Sequence, residues 1–236
     1  LQSRDLWGAF YVPTGVYESG KMLDVHRIHY LVGRFGGAQV LTWLKALVTD
    51  DMIQHEKVDD FKDSTYRHQD NDRATTEAKR ILNYFLSYNW RSQVLDKLMQ
   101  DHAQDQGGEE HLAQDYYIRP EDFSMMQSNG MIIGSHTVNH PVMSKLPIAN
   151  QTEEVRRSFD YLDTVTGGLD IKTFCYPYGR PATYTQQTQS MLQSEGCAFS
   201  FAVDHRDITS ADIQNNVQAL PRWDCNQFPH GKARMG

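Results

Sequence analysis

Residues 132–141 read IIGSHTVNHP. A short apolar run ends in two histidines four positions apart, with a proline behind them. Apolar runs of this length bounded by turn residues read as buried strands, so MIIGS (residues 131–135) is a strand and His136–Pro141 the turn that leaves it. Two histidines at this spacing can present both imidazoles to one ion. The same pair also fits a surface turn that holds no ligand. These ten residues leave both readings open.

Working outward, the pattern alternates. Upstream, LWGAFYVPTG (residues 6–15) is a strand stopped by Pro13 and Gly15, and Leu1–Asp5 reads as the tail of a helix. Downstream, Asn150 with Glu153 suggests a capping box for a helix running to Gly167-Gly168. IKTFCYP (171–177) is a strand and TYTQQTQSMLQSEG (183–196) a helix closed by glycine. CAFSFAV (197–203) and VQALPRW (217–223) are strands. Strands alternating with helices imply a parallel sheet. The chain has no G-x-G-x-x-G, P-loop or G-x-S-x-G. The fold class is therefore α/β, a distorted and incomplete (β/α) barrel, with chemistry expected at the C-terminal ends of the strands.

Between these parts lies a helical stretch. Residues 23–37, 40–48, 74–89, 91–103 and 119–130 carry helical periodicity, whereas 50–72 and DQGGEE (105–110) read as loops. Residues 36–119 are long for one crossover. They are expected to form a largely helical insertion, either covering the site or packing on the outside of the barrel, within a single domain of 236 residues.

Composition narrows the function. Apolar residues make up 39 % and aromatics 11 %, enough for a real core. The net charge of −7 argues against nucleic acid or an anionic membrane as general partner. No run approaches the roughly eighteen apolar residues of a membrane helix. Three cysteines (Cys175, Cys197, Cys225) without C-x-x-C make neither a disulfide framework nor a zinc ribbon. Cys175 and Cys197 read as small buried hydrophobes. The cysteine pattern favours the cytoplasm, with a periplasmic or secreted location as the alternative.

Placing polar residues at strand ends gathers His136 and His140, then Pro177, Tyr178 and Gly179, then Arg222, Trp223 and Asp224, with Pro13 and Thr14 after the first strand. His26 and His29 lie on a helix face opposite Ile28 and Phe35. They are either solvated or aimed at the pocket mouth.

IIGSHTVNHPVMSKL resembles the H-[ST]-x-x-H motif of the NodB-homology polysaccharide deacetylases. FCYPYGR (174–180) resembles their second signature, a strand ending in P-Y-G, and AFYVPTG the strand after their first motif. The likeness is good over 120–228 and moderate over 6–35. It implies a metal-dependent hydrolase that removes N-acetyl groups from amino sugars of a cell-surface polysaccharide, a lipopolysaccharide precursor or an oligosaccharide. His136 and His140 would hold a divalent metal, zinc above all, and Thr137 would fix the turn between them. Backbone N–H groups around Tyr178 would hold the oxyanion, and Tyr178 and Trp223, with Pro177 and Gly179 shaping the turn, would bind substrate. Alternatives are an inactive carbohydrate-binding relative and a metal amidohydrolase for a small N-acyl compound.

The sequence also departs from the family. Its first motif, T-F-D-D-G, supplies a general base and a metal ligand, and no Asp-Asp-Gly occurs here. The expectation is that this strand lies upstream of Leu1. Where the family often has an arginine two residues before the P-Y-G proline, this chain has Cys175. Arg222 could reach the same place, with Asp224 orienting a catalytic group. The late L-x-x-H general acid is not visible, and His230 is a poor substitute.

Overall fold

A computed structural model describes residues 1–62, 65–66, 69–104, 107–225 and 228. The chain divides into two compact units, one of residues 1–19 with 117–236, the other of residues 20–116. His230 lies outside the described residues.

The first unit opens with a single 3-10 turn (Gln2–Arg4) where the sequence suggests the tail of a helix, then β1 (Ala9–Val12) and the short α1 (Gly15–Ser19). Pro13 and Gly15 therefore end the strand as expected, but Gly15 starts a helix at once.

The described part of the 20–116 unit is almost wholly helical: α2 (Asp24–Phe35), α3 (Gly37–Leu47), α4 (His55–Phe61), α5 (Arg73–Arg80), a π-helical turn (Ile81–Phe85), α6 (Tyr88–His102) and α7 (Gly108–Tyr116). It begins at Gly20, so α2 belongs to it. Two helices contradict the loop assignments. Within 50–72, α4 forms because Phe61 buries itself fully. Within 105–110, Gly108 begins α7 instead of lying in a loop. The core is built from Ile28, Leu31, Val40, Leu44, Leu82, Leu95 and Leu98. Gly37 is required where α3 meets α5, since a Cβ there would lie 2.4 Å from the Thr75 Cα. Arg27 is almost completely buried, yet satisfied. Its Nε and Nη2 donate to the two Glu109 oxygens (2.5 and 2.8 Å), and it pairs with Asp96 and Asp24. A buried cation needs such partners, because an unpaired one is costly to desolvate.

The remaining elements return to the first unit: α8 (Pro120–Ser128), β2 (Ile132–Ser135), α9 (Ile148–Thr166), β3 (Thr173–Cys175), α10 (Gln186–Ser194), β4 (Phe199–Val203), α11 (Ser210–Asn215) and β5 (Leu220–Arg222). Asn150 does not cap α9. The helix starts two residues earlier, at Ile148 after Pro147, and no side chain caps it. The residues read as strand from 217 begin with a 3-10 turn, Val217–Ala219.

The five strands are all parallel and stand in the order β1-β2-β3-β4-β5. Sequential parallel order with right-handed crossovers puts the connecting helices on one face, the winding of a (β/α) barrel. Among the described residues the sheet is open, because β5 does not pair with β1. On the helix face, Val12 and Ile133 pack on Phe123 and Leu162. Phe174, Tyr176 and Ala202 pack on Val155, Phe159 and Leu192. On the opposite face Tyr11 sits level with Gly134 and edge-on to Phe201. No helix among the described residues is long and apolar enough to cross a membrane.

Candidate functional site

The turn after β2 is stitched to the segment after β1. His136 N–H donates to the Val12 carbonyl (3.1 Å), Thr14 N–H to Thr137 (3.1 Å) and Gly15 N–H to Val138 (2.9 Å). Gly15 is needed here, as a Cβ would meet the Val138 oxygen at 2.8 Å. Within the turn the Thr137 hydroxyl accepts from His140 N–H at 2.9 Å.

This turn holds its backbone in an unusual state. Five described non-glycine residues have positive φ, and three of them are Thr137 (67°), His140 (53°) and Tyr178 (61°). Each costs on the order of 1–3 kcal/mol, and such strain persists only where the surroundings over-determine it. These three residues fall in the turns after β2 and β3, which makes this strand end the candidate site.

The structure brings His136, His140 and Tyr178 together. The two imidazole centroids are 4.7 Å apart, and the His140 ring lies 4.9 Å from that of Tyr178. His136 Nδ1 is 2.6 Å from the Cys175 carbonyl oxygen. A carbonyl can only accept, so Nδ1 carries a proton, and in the neutral ring the lone pair is then on Nε2, one of the two atoms through which an imidazole can ligate a metal. Both histidines are half-buried. Among the described residues no third His, Cys, Asp or Glu joins them. The donor set thus fits a divalent metal as far as two imidazoles go.

The P-Y-G turn is held from below. Pro177 and Gly179 are buried and Tyr178 is half-buried. Gly179 has φ 70°, a Cβ there would strike Val203 Cγ2 at 2.8 Å, and Val203 N–H donates to the Gly179 carbonyl at 2.7 Å. This fastens the turn to the end of β4.

Arg222 ends β5 beside Cys175. Burial raises the Cys175 thiol pKa, and the nearby guanidinium opposes that rise. Arg222 thus lies close to Cys175, the residue two positions before the P-Y-G proline. Asp224, two residues beyond Arg222, is half-buried. Trp223 belongs to a different group. Its indole N–H donates to Asp207 (2.9 Å) and its ring lies nearly parallel to His205, leaving it 44 % exposed. His26 and His29 are in the 20–116 unit, 6.5 Å apart, with His26 facing Tyr116. Burial lowers the His26 pKa.

One residue escaped the sequence reading. The Glu154 carboxylate accepts from Val138 N–H (3.0 Å), Asn139 N–H (2.8 Å) and the Asn139 amide (2.6 Å). Burial raises its pKa against the pull of those hydrogen bonds. Its neighbour Glu153, chosen for the capping box, is exposed. The available signal was helical spacing: Glu154, Ser158 and Leu162 fall on one face of α9.

An open, sequentially wound parallel sheet with strained, histidine-bearing turns at its C-terminal edge defines the class, an α/β protein of incomplete-barrel type. The polysaccharide deacetylase family description matches residues 70–198, more than half of the chain, and the chain belongs to that family. No curated protein matches it. Among solved structures, it is similar to the Streptococcus pyogenes deacetylase PplD in complex with acetate, at 25 % identity over 45 % of this chain and 44 % of that one, with a TM-score of 0.40. It is also similar to a family 4 carbohydrate esterase from Streptomyces lividans in complex with acetate, at 24 % identity over 41 % of this chain and 46 % of that one, TM-score 0.32. The matches span less than half the length of either structure.

Proposed function

We propose that this chain carries part of the active site of a metal-dependent N-deacetylase acting on acetylated amino sugars of a glycan. The observation that carries the reading is the contact of His136 Nδ1 with the Cys175 carbonyl oxygen, next to the His140 ring. In the neutral ring this contact keeps the proton on Nδ1 and the lone pair on Nε2. His136 and His140 would hold the ion, and zinc suits imidazole nitrogen best. When bound, a divalent metal supplies acidity to a water and polarises the acetamide carbonyl.

The protein's own groups would do the rest. The turn at Tyr178 would offer a backbone N–H to the charge that develops on the carbonyl oxygen. The Tyr178 ring would face the sugar next to His140. Arg222 would orient an acidic partner at the sheet's C-terminal edge, with Asp224 on the same strand end. Trp223, exposed and anchored through Asp207, would stack on a sugar ring farther along the glycan.

The test is metal content together with acetate release from N-acetylglucosamine oligomers, for the wild-type chain and a His136→Ala/His140→Ala variant. The wild type is expected to bind about one zinc per chain and the variant none. Unchanged metal binding in the variant would sink the ligand assignment. Metal and glycan binding without acetate release would favour an inactive carbohydrate-binding relative.

A further inference from the structure

We propose that Glu154 is the positioning residue of the histidine pair: its carboxylate grips the two residues between the histidines and thereby sets how the imidazoles face each other. The proposal rests on the metal-site reading above and deepens it. His136 and His140 are separated by Thr137, Val138 and Asn139. Glu154 Oε2 accepts both successive backbone N–H groups, those of Val138 and Asn139, while Oε1 takes the Asn139 side-chain amide. Successive backbone N–H groups in a turn that converge on one anionic oxygen form a nest. Thr137 and His140, the residues on either side of the gripped pair, are the two in the left-handed region.

The grip is transmitted from a rigid element. Residues four apart on a helix lie one above the other. On α9 that row is Glu154, Ser158 and Leu162. Leu162 packs into the core with Ile133 of β2, the Ser158 hydroxyl meets that of Ser135 at the end of β2, and Glu154 meets the turn beyond. One helix face thus follows the strand and its outgoing turn without a break. Ser135 Oγ in turn accepts from Thr137 N–H at 3.2 Å. Glutamine has the same shape, but its single neutral oxygen must take both backbone N–H groups, and its NH2 keeps the Asn139 contact only if that amide turns over. It therefore replaces charge-assisted hydrogen bonds by weaker neutral ones.

The test compares the wild-type chain with Glu154→Gln and Glu154→Ala, and with two controls on the same helix. Glu153→Gln removes a neighbouring exposed charge, and Leu162→Ala weakens the same face without touching the turn. Zinc affinity is measured by competition with a chromophoric chelator, alongside melting temperature. Glu154→Gln and Glu154→Ala should weaken zinc binding roughly 10–100-fold, the range expected when an outer partner of a ligand is lost. Neither control should do so, even if Leu162→Ala melts lower. Wild-type affinity in both Glu154 variants, or a loss no greater than that of Leu162→Ala, overturns the proposal. A wild-type chain that binds no zinc overturns the metal reading instead. The positioning role is then decided by the His136 and His140 side-chain ¹⁵N resonances of the metal-free protein. Both must move in Glu154→Gln and stay in Glu153→Gln; if they do not move, the proposal fails.

Discussion

His136 Nδ1 lies 2.6 Å from the carbonyl oxygen of Cys175, so a ligand candidate on the turn after β2 is oriented by the backbone of β3. The contact crosses from one strand end to its neighbour, and it involves no side chain on the β3 side. It also links the two motifs that the sequence presents separately, H-T-V-N-H and C-Y-P-Y-G. The first prediction follows from it. Above pH 7, in metal-free protein, long-range ¹H–¹⁵N correlation of the His136 ring should show Nδ1 protonated and Nε2 bare. Observation of the opposite tautomer would remove Nε2 as the donor and with it the proposed coordination.

Gly134 gives a second prediction. It lies in β2 between Tyr11 of β1 and Thr173 of β3, and a Cβ there would come within 2.5 Å of both the Thr173 hydroxyl oxygen and the Tyr11 ring. Neither neighbour can withdraw without moving its strand. Gly134→Ala should destabilise the first unit by about 1–3 kcal/mol, the usual range for overpacking. Urea denaturation measures this. Adding Thr173→Ala should restore part of the loss, because the two sites touch and their effects do not add.

The three thiols should separate cleanly. Burial pushes the Cys197 pKa up to about 12, and its Sγ donates to the Phe199 carbonyl at 3.2 Å. Cys175 is buried and also raised, whereas Cys225 is exposed. Since the thiolate is the reactive form, an aromatic disulfide reagent at pH 8 should titrate one thiol in the native chain and three in denaturant. Rapid labelling of Cys175 or Cys197 in the folded protein, read by mass spectrometry, would show that the core around β3 and α10 is open.

Much of this was legible because it depends on local pattern. Apolar runs ended by Pro177 or His136 identify strands, and glycine in the left-handed C-cap at 167 ends α9 where expected. The histidine pair was visible from its spacing. What escaped was decided by geometry across the chain or by turn chemistry that allows two outcomes. Gly15 looks like a stop and Gly108 like part of a loop, but each begins a helix. Asn150 and Glu153 form a plausible cap on paper, yet Pro147 already fixes the backbone for a start at Ile148. Glu154 is one glutamate among several on a helix. Only the docking of α9 along β2 turns it toward Val138 and Asn139. Arg222 is a middle case: its position at a strand end is legible in the sequence, but its closeness to Cys175 depends on how the strands assemble.

The last prediction concerns pH and lies near the end of the sheet. Asp212 accepts from Thr209 N–H and hydroxyl (2.8 and 2.7 Å) and from both terminal nitrogens of Arg206 (2.8 and 2.7 Å). Hydrogen bonds from Arg206, then those from Thr209, hold its carboxyl well below the usual carboxylate range. A group whose folded pKa is depressed contributes stability that is fully present above its unfolded value, about 4. That contribution is lost as pH falls from there through the folded value. Asp212→Asn removes the charge at every pH. The wild type should therefore melt above the variant by a constant margin from pH 5 to 7, and the margin should shrink progressively below about pH 4. Salt should also narrow it, because the pair sits where solvent screens it. A margin that persists unchanged at pH 2 would mean that Asp212 acts only through the neutral geometry of its cap on α11.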